Sequence, residues 1–151
     1  MGEIRFYHLN KTSVEHGLKT MLDRILKRQQ RAVIWMDQDE KIESLTNWLW
    51  THDERSFLPH GNNLDGYAEH QPIWLTDKEE NPNKANILFI IGHLITNHTY
   101  HFDQYIDIFD NQNDENIKLA RQRWLEYKKL GHSLIYFYQD NQGNWQEKKP
   151  D

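Results

Sequence analysis

The stretch IRFYHLNKTSVEHGLKTMLDRILKRQQRAVIWM, residues 4–36, decides the fold class. Its first six residues are rich in β-formers and read as a strand. Thr12 or Ser13 then caps a helix in which Val14, Leu18, Met21, Leu22 and Ile25 recur at spacings of three and four, and so share one face. The stretch closes on RAVIWM, residues 31–36, a short apolar run of the kind buried on both faces in parallel sheets. Asp37 and Asp39 follow, and Glu40 opens a second helix carrying Ile42, Leu45, Trp48 and Leu49. Strand, helix, strand, helix is the order that folds as a parallel sheet with right-handed crossovers.

Beyond the second helix the rhythm breaks. Residues 51–71 hold a short apolar piece, Ser56-Phe57-Leu58-Pro59-His60, and then a Gly- and Asn-rich loop at 61–66. Pro72-Ile73-Trp74-Leu75 reads as a short strand, residues 77–84 as a charged loop, and residues 86–91 (NILFII) as a fully buried strand. Residues 93–103 are ambiguous, a turn of helix being one reading. Residues 105–109 (YIDIF) alternate like a strand, residues 113–131 form a third helix, and residues 133–138 (SLIYFY) form a last long strand. Residues 140–143 turn hairpin-like towards Trp145. No repeat or linker interrupts the chain. The expected architecture is a single α/β domain over residues 1–146, a mostly parallel open sheet flanked by helices. That is a Rossmann-like topology without a nucleotide-binding motif. Residues 147–151 read as a solvated tail.

Composition narrows the function. The 151 residues suffice for one core, and six Trp, seven Tyr and six Phe supply large buried surfaces although the hydrophobic fraction is only 37%. The mean hydropathy of −0.94 makes the remaining surface very polar. No run approaches the roughly 18 apolar residues of a membrane span. The chain enters its first strand with no basic-then-apolar leader, so no membrane contact and a cytoplasmic location are expected. The absence of cysteine excludes disulfides, thiolate metal sites and a cysteine nucleophile. Eighteen basic residues stand against 23 acidic ones, a net charge of −5 that argues against a broad nucleic-acid footprint. The basic group Arg24, Lys27, Arg28 and Arg31 is the one candidate for direct contact.

Catalytic signals are weak. The first strand runs into Asn10-Lys11-Thr12-Ser13, with no Gly-rich turn and no Walker pattern, so no nucleotide cofactor is expected. His93, His98, His101 and Asp103 form the best metal-ligand grouping, and a metal-assisted hydrolase is the alternative function they define. Their bland reading is surface and sheet-edge histidines in a chain that holds nine. Asp37, Asp39 and Glu40 read chiefly as helix-start acids. No bound metal is expected.

The third helix carries more. Ile117, Ala120, Trp124 and Tyr127 share one face, and Lys118, Arg121, Leu125 and Lys128 form a neighbouring stripe, basic at three positions. Asn111 or Asn113 caps its start, and Gly131 offers the left-handed residue that stops a helix. An apolar floor beside guanidinium and ammonium groups is what capture of a C-terminal carboxylate with a hydrophobic last residue requires. Trp50, Phe57, Leu58 and Pro59 read either as packing at a helix end or as an exposed patch for a partner subunit.

Several pieces, in order and spacing, resemble the chi subunit family of the bacterial DNA polymerase III holoenzyme. They are Phe6-Tyr7-x-Leu9, Asp39-Glu40, and Leu49-Trp50 followed by Ser56-Phe57-Leu58-Pro59-His60. Gln71-Pro72-Ile73-Trp74-Leu75 and Asn81-Pro82-Asn83 come next, then Ala120-Arg121-x-Arg123-Trp124-x-x-Tyr127-Lys128-x-x-Gly131. The last are Tyr136-x-Tyr138-Gln139 and Gly143-x-Trp145, and the long Ser-Phe-Leu-Pro-His-Gly loop marks one branch of the family. The resemblance implies a non-catalytic clamp-loader accessory subunit. Such a subunit binds the acidic, hydrophobic C-terminal tail of single-stranded DNA-binding protein, joins the clamp loader through a psi subunit, and meets DNA only indirectly. It further implies that Arg121 pairs with the tail's carboxylates, that Trp124 contacts its terminal aromatic, and that Lys128 assists. Trp50 and Phe57 match positions used against psi, and Leu58 and Pro59 are expected to belong to the same psi-like interface. The family often has a basic residue where this chain has Leu125; Lys118 or Lys129 would substitute.

Overall fold

A computed structural model describes residues 3–37, 39–51, 61–62, 68–96 and 102–148. Among them eight strands form one sheet in the order β3-β4-β2-β5-β6-β1-β7-β8. The strands are β1 (Glu3–Leu9), β2 (Ala32–Met36), β3 (Gly61–Asn62), β4 (Ile73–Thr76), β5 (Ile87–Ile91), β6 (Gln104–Asp110), β7 (Ser133–Gln139) and β8 (Trp145–Lys148). All pair in parallel except β8, which runs antiparallel to β7. The helices are α1 (Val14–Lys27), α2 (Asp39–Thr51) and α3 (Asp114–Lys129). The expected α/β architecture is the observed one.

Two cores lie on the two faces of the sheet. All five residues of β2 are buried because its alternate side chains serve both cores. Ile34 and Met36 join Leu18, Leu22, Ile25, Ile42 and Leu45 beneath α1 and α2. Val33 and Trp35 join Phe6, Tyr105, Ala120 and Tyr127 on the α3 side. Ser13 caps α1, its side chain accepting from the His16 backbone N–H at 3.3 Å.

Between β6 and β7, α3 passes over β1, the strand those two enclose. Trp124 meets Phe6 edge-on at 5.1 Å, and Tyr127 does so at 6.0 Å. Asn113 is the cap, accepting from Asn116 N at 2.9 Å. At the other end Gly131 takes φ 86°, and two hydrogen bonds close the turn. His132 N donates to Tyr127 O and Gly131 N to Lys128 O, both at 3.1 Å. That paired closure satisfies carbonyls a helix end otherwise leaves without partners.

The inner ridge of α3 differs from the expected one. Ala120 and Tyr127 are buried as read, but Ile117 and Trp124 are half-buried at its margin, and the ridge is completed by Arg123. Arg123 is 3% exposed and forks onto Asp107 of β6, itself fully buried. Nε donates to Oδ2 at 2.7 Å and Nη2 to Oδ1 at 3.0 Å. Burial pushes the Asp107 carboxyl above its usual range, and the facing guanidinium opposes that push.

Three local expectations are corrected. The loop expected at 61–66 begins with the two-residue β3, which pairs with Trp74 and Leu75 of β4. No helical turn forms over the described residues 92–96 and 102–103. The tail expected from residue 147 starts inside β8, because Glu147 and Lys148 pair with Phe137 and Tyr136. WQEK has alternation too short and too polar to distinguish from solvated chain, and only its pairing with β7 makes it a strand.

Candidate functional site

A hollow of about 530 Å³ opens between α3 and the sheet face formed by β1, β7 and β8. Its wall on α3 includes Arg121, Trp124 and Leu125, and its floor includes His8 and Tyr136. Trp124 is half-buried and stands edge-on to Tyr136 at 6.1 Å as well as to Phe6, so one indole serves both core and hollow. Leu125 is 57% exposed, the most exposed large apolar side chain among the described residues. An apolar group so placed at the lip of a hollow lowers the cost of desolvating a ligand's apolar end.

The floor is held by a polar pair within the aromatics. His8 Nδ1 lies 2.5 Å from the Tyr136 hydroxyl, and the imidazole stacks on Phe109 at 4.8 Å. Burial lowers the His8 pKa and Asp110 partly offsets it, while burial raises that of Tyr136 against the nearby positive charge of Arg121. The floor is therefore neutral at pH 7. A histidine whose pKa is lower folded than unfolded binds fewer protons when folded, so its stabilisation is complete above about pH 6.5 and is lost as pH falls through the folded value. The urea midpoint of the wild type should therefore drop on acidification below about pH 6.5. A His8→Gln variant should drop less over the same window, and identical drops would remove His8 from the linkage.

The structure brings the expected residues together only in part. Arg121, Trp124 and Leu125 share the hollow beside α3, and Lys118 lines an adjoining one of about 470 Å³ that also includes Arg121 and Leu125. Lys128 is exposed on α3 and lines neither. Among the described residues, neither Arg121 nor Lys148 has a carboxylate partner. Sequence reasoning missed His8, Tyr136 and Lys148, which also line the hollow. The repeated aromatics of SLIYFY were the available signal, but which strand lies beside β1 is a long-range fact.

The other groupings fare differently. Phe57, Leu58, Pro59, His98 and His101 lie outside the described residues, as does the side chain of Trp50. His93 turns its Nδ1 to Arg123 Nη1 at 3.3 Å, and Asp103 Oδ2 accepts from Asn86 Nδ2 at 3.2 Å. Those two residues thus serve different partners, and among the described residues no three His, Asp or Glu are grouped to hold a metal ion. The hydrolase reading finds no support there. Arg31 leaves the proposed nucleic-acid group, because its Nη1 donates to the Glu69 and Asn83 carbonyls at 2.8 and 3.1 Å. Arg24, Lys27 and Arg28 stay exposed.

A second hollow, of about 630 Å³, lies at the carboxyl ends of β2, β5 and β6, where nucleotides bind in other open α/β sheets. Here two of its carboxylates are already engaged. Lys41 donates to Asp37 Oδ1 at 3.0 Å and Asn116 Nδ2 to Asp110 Oδ1 at 2.8 Å. Gly92, at φ 107°, packs so closely that a Cβ would lie 3.0 Å from the Asp37 carboxyl carbon. No described helix is long and apolar enough to cross a membrane.

Comparison with known proteins points one way. A family model described as "DNA polymerase III chi subunit, HolC" matches residues 1–135. A curated protein of Rickettsia prowazekii (strain Madrid E), "Probable DNA polymerase III subunit chi", is 28% identical over 109 residues, 72% of this chain. The match spans 66% of that relative's own length, just under two thirds.

Proposed function

Because the chain belongs to the DNA polymerase III chi subunit family, we propose that it is a non-catalytic replication accessory subunit. It captures the C-terminal tail of single-stranded DNA-binding protein and links it to the clamp loader. The observation that carries this reading is an aromatic-floored hollow whose only charged lining groups, among the described residues, are Arg121 and Lys148. Such a cavity suits an apolar terminal side chain with an anionic end and disfavours a cation. The psi-like contact rests on Trp50, Phe57, Leu58 and Pro59 and on the family alone. DNA is met through the tail's owner, and the cytoplasm is the compartment in which these partners meet.

The test is on the ligand side. A peptide ending in acidic residues and a free Pro-Phe carboxylate should bind with a Kd on the order of micromolar. The same peptide amidated at its C-terminus should bind about fivefold more weakly, because the amide keeps one acceptor but loses the charge. Equal binding of the two would overturn carboxylate capture at this site.

A further inference from the structure

The hollow beside α3 uses one face of β1 and β7, and the opposite face of the same two strands carries a different chemistry. Phe6, His8 and Tyr136 serve the α3 side, so by alternation Tyr7 and Phe137, partners across the two strands, point the other way. Their rings stack at 4.7 Å and 17°, and Trp145 of β8 meets Tyr7 edge-on at 4.9 Å. All three are half-buried. On that side α1 crosses from β1 to β2, over β6 and β5. Among the described residues it leaves β7 and β8 without a helix above them.

The rim of this aromatic platform is basic. Arg24 and Arg28, four residues apart on one flank of α1, are exposed and have no carboxylate partner among the described residues. Burial pushes the Tyr7 hydroxyl above its usual pKa, and the charges of Arg5 and Arg24 oppose that push, as groups close to the ring do. The acids of this face are Glu3, paired with Arg5 at 2.9 Å, and Glu147 on the outer strand.

We propose that the face of Tyr7, Phe137 and Trp145, with Arg24 and Arg28 at its rim, binds a single strand of nucleic acid, bases on the rings and phosphates on the arginines. This goes beyond the reading above and adds a direct contact to the one made through the tail's owner. A single strand joins a flat π surface to an anion at every step, which is the alternation this face complements. A second copy of the chain, docked about a two-fold axis, would instead bring like cations together. The net charge of −5 keeps the footprint local, about two or three bases beside two phosphates.

Labelled oligo-thymidylate of about 15 residues would be titrated onto the full chain by fluorescence anisotropy, beside oligo-uridylate and a duplex of the same length. Rings and phosphates do not read the sugar, so both single strands should bind within about twofold, with a Kd on the order of 10–100 micromolar at low salt. Two phosphate contacts at a slope of ~0.7 each predict about sevenfold weaker binding between about 50 and 200 mM salt. The double variant Arg24→Gln with Arg28→Gln should flatten that slope. Trp145→Leu and Phe137→Leu, which keep an apolar side chain without a ring, should each weaken the strand about fivefold at unchanged slope. Every variant should keep the wild-type affinity for the acidic Pro-Phe peptide, which also shows that it folds. No strand binding by the wild type, variants that bind like it, or tighter binding of the duplex overturns the proposal. So does a strand displaced by the peptide, which would place it in the hollow beside α3. Self-association lost in Trp145→Leu would assign the face to a second copy and overturn it too. Peptide capture is tested separately by Arg121→Ala and stands or falls without this face.

Discussion

Replacing Asp107 with alanine will destabilise the fold by about 3–5 kcal/mol, and urea unfolding should show it as a lower midpoint at unchanged slope. The reason is asymmetry. The Arg123 guanidinium is 3% exposed and both of its forked donors end on Asp107. With the carboxylate gone, a full positive charge remains in a core made largely of aromatic and aliphatic side chains, and its one other described contact is the imidazole of His93. Removing both partners together is a different case. The double variant Asp107→Leu with Arg123→Met fills similar volume without a buried charge, and should recover most of the loss or exceed the wild type. If the double variant is as unstable as Asp107→Ala alone, the loss comes from packing and not from the orphaned charge.

Arg121→Ala should weaken binding of the acidic Pro-Phe peptide by about tenfold to thirtyfold while leaving the unfolding free energy within about 0.5 kcal/mol of the wild type. Arg121 is exposed and has no carboxylate partner among the described residues, so its removal orphans nothing in the fold. It takes away a charge-assisted hydrogen bond and part of the hollow's aliphatic wall at once. Arg121→Lys separates the two losses. The stem and charge return without the planar fork, so a partial recovery is expected. Affinity unchanged in Arg121→Ala would move the carboxylate contact elsewhere on α3.

The two predictions also mark where sequence reasoning succeeds and stops. Periodic elements with strong local chemistry were legible: β2 because five apolar residues in a row have no other use, and α3 because its Asn113 cap and Gly131 stop are local. The pairing of Arg123 with Asp107 was not legible in the sequence, and for one shared reason. In YIDIF the aspartate occupies the polar phase of an alternation, and on α3 the arginine reads as solvated surface. Local patterns of that kind assume a strand and a helix with a wet side. Here β6 is buried on both faces, so each charge exists to neutralise the other. The hollow was half legible. Its α3 wall follows from helical spacing, whereas its floor depends on β7 lying beside β1, a pairing of residues about 130 positions apart that no local pattern encodes.

That same pairing fixes when the site can exist. As a chain emerges from its amino end, β2 finds its neighbours β4 and β5 within the first 91 residues. By contrast β1, although made first, has only β6 and β7 as partners and must wait for both. Contacts of such high sequence separation form slowly because the loop must close before they reward it. The older half of the sheet is therefore able to assemble while the first strand is still unpaired. The hollow draws its floor from β1 and β7, its wall from α3 and its far cation from β8, so its parts come together last. A nascent or partly unfolded chain can thus carry a substantial core and yet be blind to its ligand, which makes ligand binding a report on the completion of folding.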